Sequence, residues 1–187
     1  GAFKMKKPSL IISMLFTISM MFVVSLPIIG NAAEVISPEL VKKKVNEAVK
    51  LLEKKGPAAY AELRDLKGKF IFAQGEGYIW VQSFEGKMVM HPLKPALEGK
   101  ELFDMRDPAG NVIFKDFYEM VNKNGEGWVP YTWPKNGEKA GSPKISYCKM
   151  VTMDGEKFLV ASGLYDVSPA QIRKKFPKDK VMVRNKK

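Results

Sequence analysis

Tyr78-Ile79-Trp80-Val81-Gln82-Ser83-Phe84-Glu85-Gly86-Lys87-Met88-Val89-Met90-His91 is the stretch on which the fold turns. Residues 78–84 are aromatic and β-branched, which suits a strand. Glu85-Gly86 reads as a tight turn, and residues 87–91 return as the partner strand, so the stretch predicts a β-hairpin. Before it, Ser37-Pro38 opens a helix, with Ser as N-cap and Pro at the first helical position. Leu40, Val41, Val45, Ala48, Val49 and Leu52 recur at helical spacing with lysines on the other face, and Gly56-Pro57 ends the run. A short second helix is expected over residues 58–64.

After the hairpin, Pro92, Pro95, Gly99 and Asp107-Pro108-Ala109-Gly110 mark an irregular connection. Residues 112–121 predict a helix with Phe114, Phe117, Tyr118 and Val121 on one side. Strands are predicted over 126–133, 144–152 and 157–163, with a polar loop at 134–143 and a turn at Met153-Asp154-Gly155. Ser168-Pro169 opens a last helix that runs into a basic tail. Short loops force antiparallel pairing. The expectation is an α+β domain: an antiparallel β-sheet with a long N-terminal helix packed across it.

The N-terminus reads as a secretory signal. Lys6 and Lys7 form a positive region, residues 8–33 carry no charge, Pro27 breaks the apolar run, and Gly30-Asn31-Ala32 supplies small residues for cleavage. Residues 1–32 are read as signal peptide, with cleavage after Ala32, and residues 1–4, before Met5, as an added remnant. The uncharged stretch is also long enough to span a bilayer, so a retained anchor is the alternative. Residues 33–167 are expected to form the domain and 168–187 a short helix and basic tail.

Charge and cysteine content exclude several classes. The net charge of +11 is not spread evenly: residues 173–187 hold eight basic residues and one acidic. The rest of the mature chain is close to neutral, so the charge belongs to a tail and not to a nucleic-acid-binding face. Cys148 is the sole cysteine, which rules out an internal disulfide and a multi-cysteine metal site. It reads as a packed, inert thiol. His91 is the sole histidine, and no nucleophile elbow, zinc motif or phosphate loop is present. Asp104, Asp107 and Asn111 do not match calcium-loop spacing, and Asp-Pro-Ala-Gly suffices as a turn. Neither enzyme, metal nor cofactor is expected.

Polar aromatics stand out instead. Tyr78, Trp80, Trp128, Tyr131, Trp133 and Tyr147 fall on predicted strands, and such side chains suit a small closed pocket with a few orienting polar groups. His91 and Lys144 lie at strand ends beside prolines.

In order along the chain, Tyr78-Ile79-Trp80-Val81, His91-Pro92, Gly99-Lys100, Asp107-Pro108-Ala109-Gly110, Gly127-Trp128-Val129, Tyr131-Thr132-Trp133-Pro134, Pro143-Lys144-Ile145-Ser146-Tyr147 and Ser162-Gly163-Leu164-Tyr165 resemble the single Cache domain over residues 35–167. The resemblance implies a PAS-like antiparallel β-sheet and an extracytoplasmic sensor of a small carboxylate of the acetate, propionate, lactate or pyruvate type; with the signal peptide cleaved, the protein is expected to be periplasmic or secreted. It implies ligand contacts from Tyr78, Trp80, His91, Tyr131, Trp133, Lys144 and Tyr147, with Lys144 as counter-charge. Partners would be a small organic acid and a membrane receptor or sensor kinase, with dimer pairing through the N-terminal helix as in membrane-bound relatives. With no second apolar run after residue 33, the expected protein lacks its own transmembrane signalling part. The alternative is a non-catalytic interaction module that uses its helix face or basic tail to bind a partner or membrane. Residues 144 and 147 differ by three, so in a regular strand they face opposite sides. Both can line one pocket only if Lys144 precedes the regular strand or a bulge intervenes.

Overall fold

The computed structural model describes residues 1–2 and 34–184. The expected cleavage point, residues 3–32 of the expected signal peptide and the last three residues lie outside them. The first long element is α1, Pro38–Lys55. Its start and end are those the sequence predicts: the Ser37 side chain accepts from the Leu40 N–H, and Gly56 closes the helix at φ +55°, a backbone region that favours glycine. Val41, Val45, Ala48, Val49 and Leu52 are buried. Lys44 departs from the all-lysine outer face: it is buried beneath the helix and donates to the Lys69 carbonyl at 3.0 Å. Its long apolar stem allows this once the ammonium finds an acceptor.

After a 3₁₀ turn at Gly56–Ala59 come α2 (Tyr60–Arg64) and a two-stranded ribbon of β1 (Ile71–Phe72) and β2 (Gly77–Tyr78). The strand expected over 78–84 is therefore split. Tyr78 pairs with Ile71, whereas β3 (Trp80–Ser83) belongs to the main sheet with β4 (Met88–Met90). Helix α3 spans Ile113–Asn124. The long strands β5 (Glu126–Pro134), β6 (Gly141–Met153) and β7 (Glu156–Tyr165) complete an antiparallel sheet in the order β4-β3-β7-β6-β5. Asp154 and Gly155, both at positive φ, form the two-residue turn joining β6 to β7.

β6 begins at Gly141, three residues earlier than expected. Residues 141–143 pair with β5 alone, so one side of the strand has no neighbour to demand the N–H that Pro143 lacks. The sheet separates two apolar clusters. One packs α1 on Ile79, Val81, Trp128, Ile145, Tyr147, Val160 and Leu164. The other packs α3 on Tyr78, Trp80, Val129, Tyr131, Cys148, Leu159 and Ala161. The fold is thus the expected α+β arrangement, with α1 on one sheet face and α3 on the other. No helix among the described residues is long and apolar enough to cross a membrane.

α4 (Pro169–Lys175) carries a capping box between Ser168 and Gln171. The chain after it is not a free tail as far as residue 184. The Trp128 N–H donates to the Lys180 carbonyl and the Met182 N–H to the Trp128 carbonyl, both at 2.8 Å, so this segment straps the outer edge of β5. Such cover removes an open sheet edge.

Candidate functional site

Tyr78 and Trp80 on consecutive strands, and Tyr131 and Trp133 on β5, project to the α3 side of the sheet. Together with Met88, His91, Phe114 and Phe117 they enclose a cavity of about 10 Å³, room for roughly one water. The rings meet edge to face: Phe117 lies 5.1 Å from Trp80 and 5.3 Å from Tyr131, and Phe114 abuts Trp80 and Trp133. Such pairs fix ring orientation beyond what burial alone does. The Tyr131 hydroxyl and Ser146 Oγ share a hydrogen bond of 3.0 Å.

Lys144 reaches this cluster from β6. It is 2 % exposed. Its ammonium donates to the Tyr78 hydroxyl at 3.0 Å and lies 4.5 Å and 4.6 Å from the centres of the Tyr78 and Tyr165 rings. Among the described residues it has no carboxylate partner. Burial, and then the Lys94 ammonium, push its pKa down to about 7. Lys94 itself sits over the Trp133 ring at 4.7 Å, and its own pKa is lowered by burial.

His91 packs against Tyr78 with ring centres 5.1 Å apart and ring planes tilted by 45°. Burial, then Lys144, then Lys94, lower its pKa to about 3, so the ring is neutral at ordinary pH. The Lys94 backbone N–H donates to His91 Nδ1 at 3.0 Å. Nδ1 is therefore the acceptor, and the ring proton is assigned to Nε2. The local chemistry is a neutral donor and two lysines around an aromatic cavity; among the described residues neither lysine has a carboxylate partner, and the nearby Glu98 carboxylate is taken up by Arg64 and the His91 backbone N–H.

Two features hold this arrangement. A Cβ at Gly163 would overlap Ser146 Oγ and come within 3.0 Å of Lys144 Cε, so this glycine leaves the lysine its path across the sheet. Asp107 pins the Asp-Pro-Ala-Gly turn to β5, accepting from the N–H groups of Asn111 (2.8 Å) and Thr132 (3.0 Å) and from the Asn111 amide. Burial works to raise the Asp107 pKa, but these hydrogen bonds outweigh it and the carboxyl stays low.

Six of the seven residues singled out in the sequence come together: Tyr78, Trp80, His91, Tyr131, Trp133 and Lys144. Tyr147 does not join them. The β5–β6 register runs without a bulge from Glu126↔Lys149 to Pro134↔Gly141, so Lys144 lies inside a regular strand and Tyr147 faces the α1 side. Neither condition for a shared pocket is met. Met88, Phe114, Phe117, Lys94 and Tyr165 were not picked out. Tyr165 was within reach of sequence reasoning, since it is the strand partner of Lys144. Phe114 and Phe117 carried only the signal of an ordinary helix face. Cys148 is buried, its thiol pKa raised by that burial, consistent with an inert packed side chain.

Comparison with known proteins identifies the family and the fold. A family profile described as the Cache domain matches residues 31–153. The chain is 32% identical over 90 residues to the methyl-accepting chemotaxis protein McpP of Pseudomonas putida, covering 48% of this chain and 16% of that protein. It is 27% identical over 90 residues to the sensor histidine kinase MctS of Rhizobium johnstonii, covering 48% and 19%. The matched stretch is thus less than one-fifth of either relative. Among solved structures, a periplasmic sensor domain of a chemotaxis protein aligns with TM-score 0.57 and 33% identity, covering 69% of this chain and 94% of that one. A Cache chemosensory domain studied for carboxylic acid recognition aligns with TM-score 0.59 and 28% identity, covering 69% and 92%. The chain belongs to the Cache domain family of sensor modules.

Proposed function

We propose that this Cache domain is an extracytoplasmic sensor of small carboxylates, acetate to pyruvate in size, with Lys144 as the counter-charge. The observation that carries the reading is the Lys144 ammonium, buried beside the aromatic cavity with no carboxylate partner. An unpaired buried cation is costly, and a bound anion removes that cost. Tyr78 and Tyr131 hydroxyls and His91 Nε2 supply hydrogen bonds, and Trp80 and Trp133 limit ligand size. The cavity of about 10 Å³ means that binding requires the rings to part. Trp133 is the half-buried wall, and Lys94 over it brings a second cation to the opening. The carboxylic-acid-recognising neighbour supports the ligand class, and the chemotaxis receptor and sensor kinase relatives make a chemoreceptor or sensor kinase the corresponding output partner.

The small cavity favours one other reading, an interaction module whose pocket is closed by its own aromatics. Thermal unfolding of ligand-free protein with acetate, propionate, lactate and pyruvate, and with their neutral amides, separates the two. Stabilisation by acids alone, lost in Lys144→Met, supports the sensor. No shift with any acid supports the closed module, and equal shifts with amides remove the role of Lys144.

A further inference from the structure

We propose that the basic face formed by α4 and the segment after it docks on anionic phospholipid. Residues 173–187 carry eight cations and one acid, Asp179. That acid is turned inward: it accepts from Lys42 Nζ at 2.7 Å and from Trp128 Nε1 at 2.9 Å. It is therefore spent within the fold and does not neutralise its neighbours. Arg173, Lys174, Lys178 and Lys180 are exposed and make no ion pair among the described residues.

The platform that presents them is ordered. Ile172 is fully buried, Phe176 stacks on Trp128 at 5.9 Å, and the strap hydrogen bonds hold Lys180 against β5. Lys175 pairs with Glu39 at 2.6 Å, which sets the end of α4 against the first turn of α1. Val35, 78 % exposed, adds an apolar side chain at the same end. Cations without ion-pair partners, with an exposed apolar residue at the same end, fit a bilayer surface better than an acidic protein. Each cation held near an anionic bilayer raises affinity several-fold. The surface lies apart from the aromatic cavity and does not depend on its ligand.

The test uses residues 34–187, whose two apolar clusters are complete from Ile36 to Met182. Co-sedimentation is compared on phosphatidylcholine vesicles and on the same vesicles carrying about 30% phosphatidylglycerol. The expected result is at least about tenfold stronger, salt-sensitive binding to the anionic vesicles. The triple variant R173E/K174E/K178E loses it, whereas K100E/K115E/K139E, with the same change in net charge, keeps it. Absence of preference for anionic vesicles overturns the proposal. Equal loss in both variants also does, because attraction would then follow net charge alone. Capture by polyglutamate without vesicle binding overturns it in favour of an acidic protein partner.

Discussion

Two lysines on opposite faces of one strand pair sit among aromatic rings, and they differ in one respect. Lys42 lies over Tyr147 and Phe176 at 5.2 Å and 5.3 Å and ends on the Asp179 carboxylate, which Trp128 Nε1 also contacts. Lys144 lies between Tyr78 and Tyr165 and ends on a neutral hydroxyl. The register ties them together: Trp128 opposes Tyr147, and three residues on, Tyr131 opposes Lys144. Both nodes use cation–π contact and burial. The node with an acid is complete and joins α1, β5 and the C-terminal strap. The other has no carboxylate among the described residues, and under the proposed function that difference separates a binding site from a structural lock.

Breaking either node sharpens the contrast. The largest effect is expected from Gly163→Ala, whose methyl must displace Ser146 and Lys144. It should destabilise by about 2–3 kcal/mol in urea unfolding and abolish stabilisation by carboxylates. Asp179→Ala strips the partner from Lys42 and the Trp128 indole. It should cost about 1–2 kcal/mol while the carboxylate response survives. Lys144→Met has the opposite sign. Removing a buried amine that has no carboxylate partner should raise the stability of ligand-free protein by about 1 kcal/mol and remove the ligand response. A comparable loss of stability instead would make the Lys144 node structural, like its counterpart.

The pH dependence follows from the same asymmetry. The Lys144 pKa is about 7 in the fold against 10.5 in the unfolded chain. Between those values the unfolded chain holds more protons, so ligand-free stability rises with pH across that window. His91, at about 3 against 6.5, gives a rise from pH 3 to 6.5 for the same reason. A carboxylate favours the ammonium, so its affinity should be highest below about pH 7 and fall above it, as titration calorimetry across pH can record. The smallest effect belongs to the exposed Lys135–Asp166 pair. Lys135→Ala should leave the urea unfolding midpoint essentially where it is in the parent protein, because solvent screens an exposed pair.

What the sequence disclosed was local. Ser37-Pro38 and Gly56 bound α1 through their own backbone chemistry, and Asp154-Gly155 sets the β6–β7 hairpin. The six clustering site residues were legible because they sit near strand ends with aromatic or charged character. Tyr147 was separable by strand period alone once β6 was known to begin before Lys144, but Pro143 argued for a later start. Its missing N–H is harmless only because β7 stops short there, a fact of register. The strap was illegible: Lys178-Asp179-Lys180 has no strand pattern, and its order comes from partners on α1 and β5 that are distant in sequence. Lys94 was hidden for a similar reason, since its place over Trp133 depends on the loop after β4.

The central claim is that Lys144 is a buried cation awaiting an anion. Its side-chain titration, followed by nitrogen-detected NMR with and without propionate, tests this most directly. The account predicts a midpoint near 7 in ligand-free protein and a clear rise with propionate. A midpoint in the ordinary lysine range, unmoved by propionate or any other small carboxylate, would contradict it.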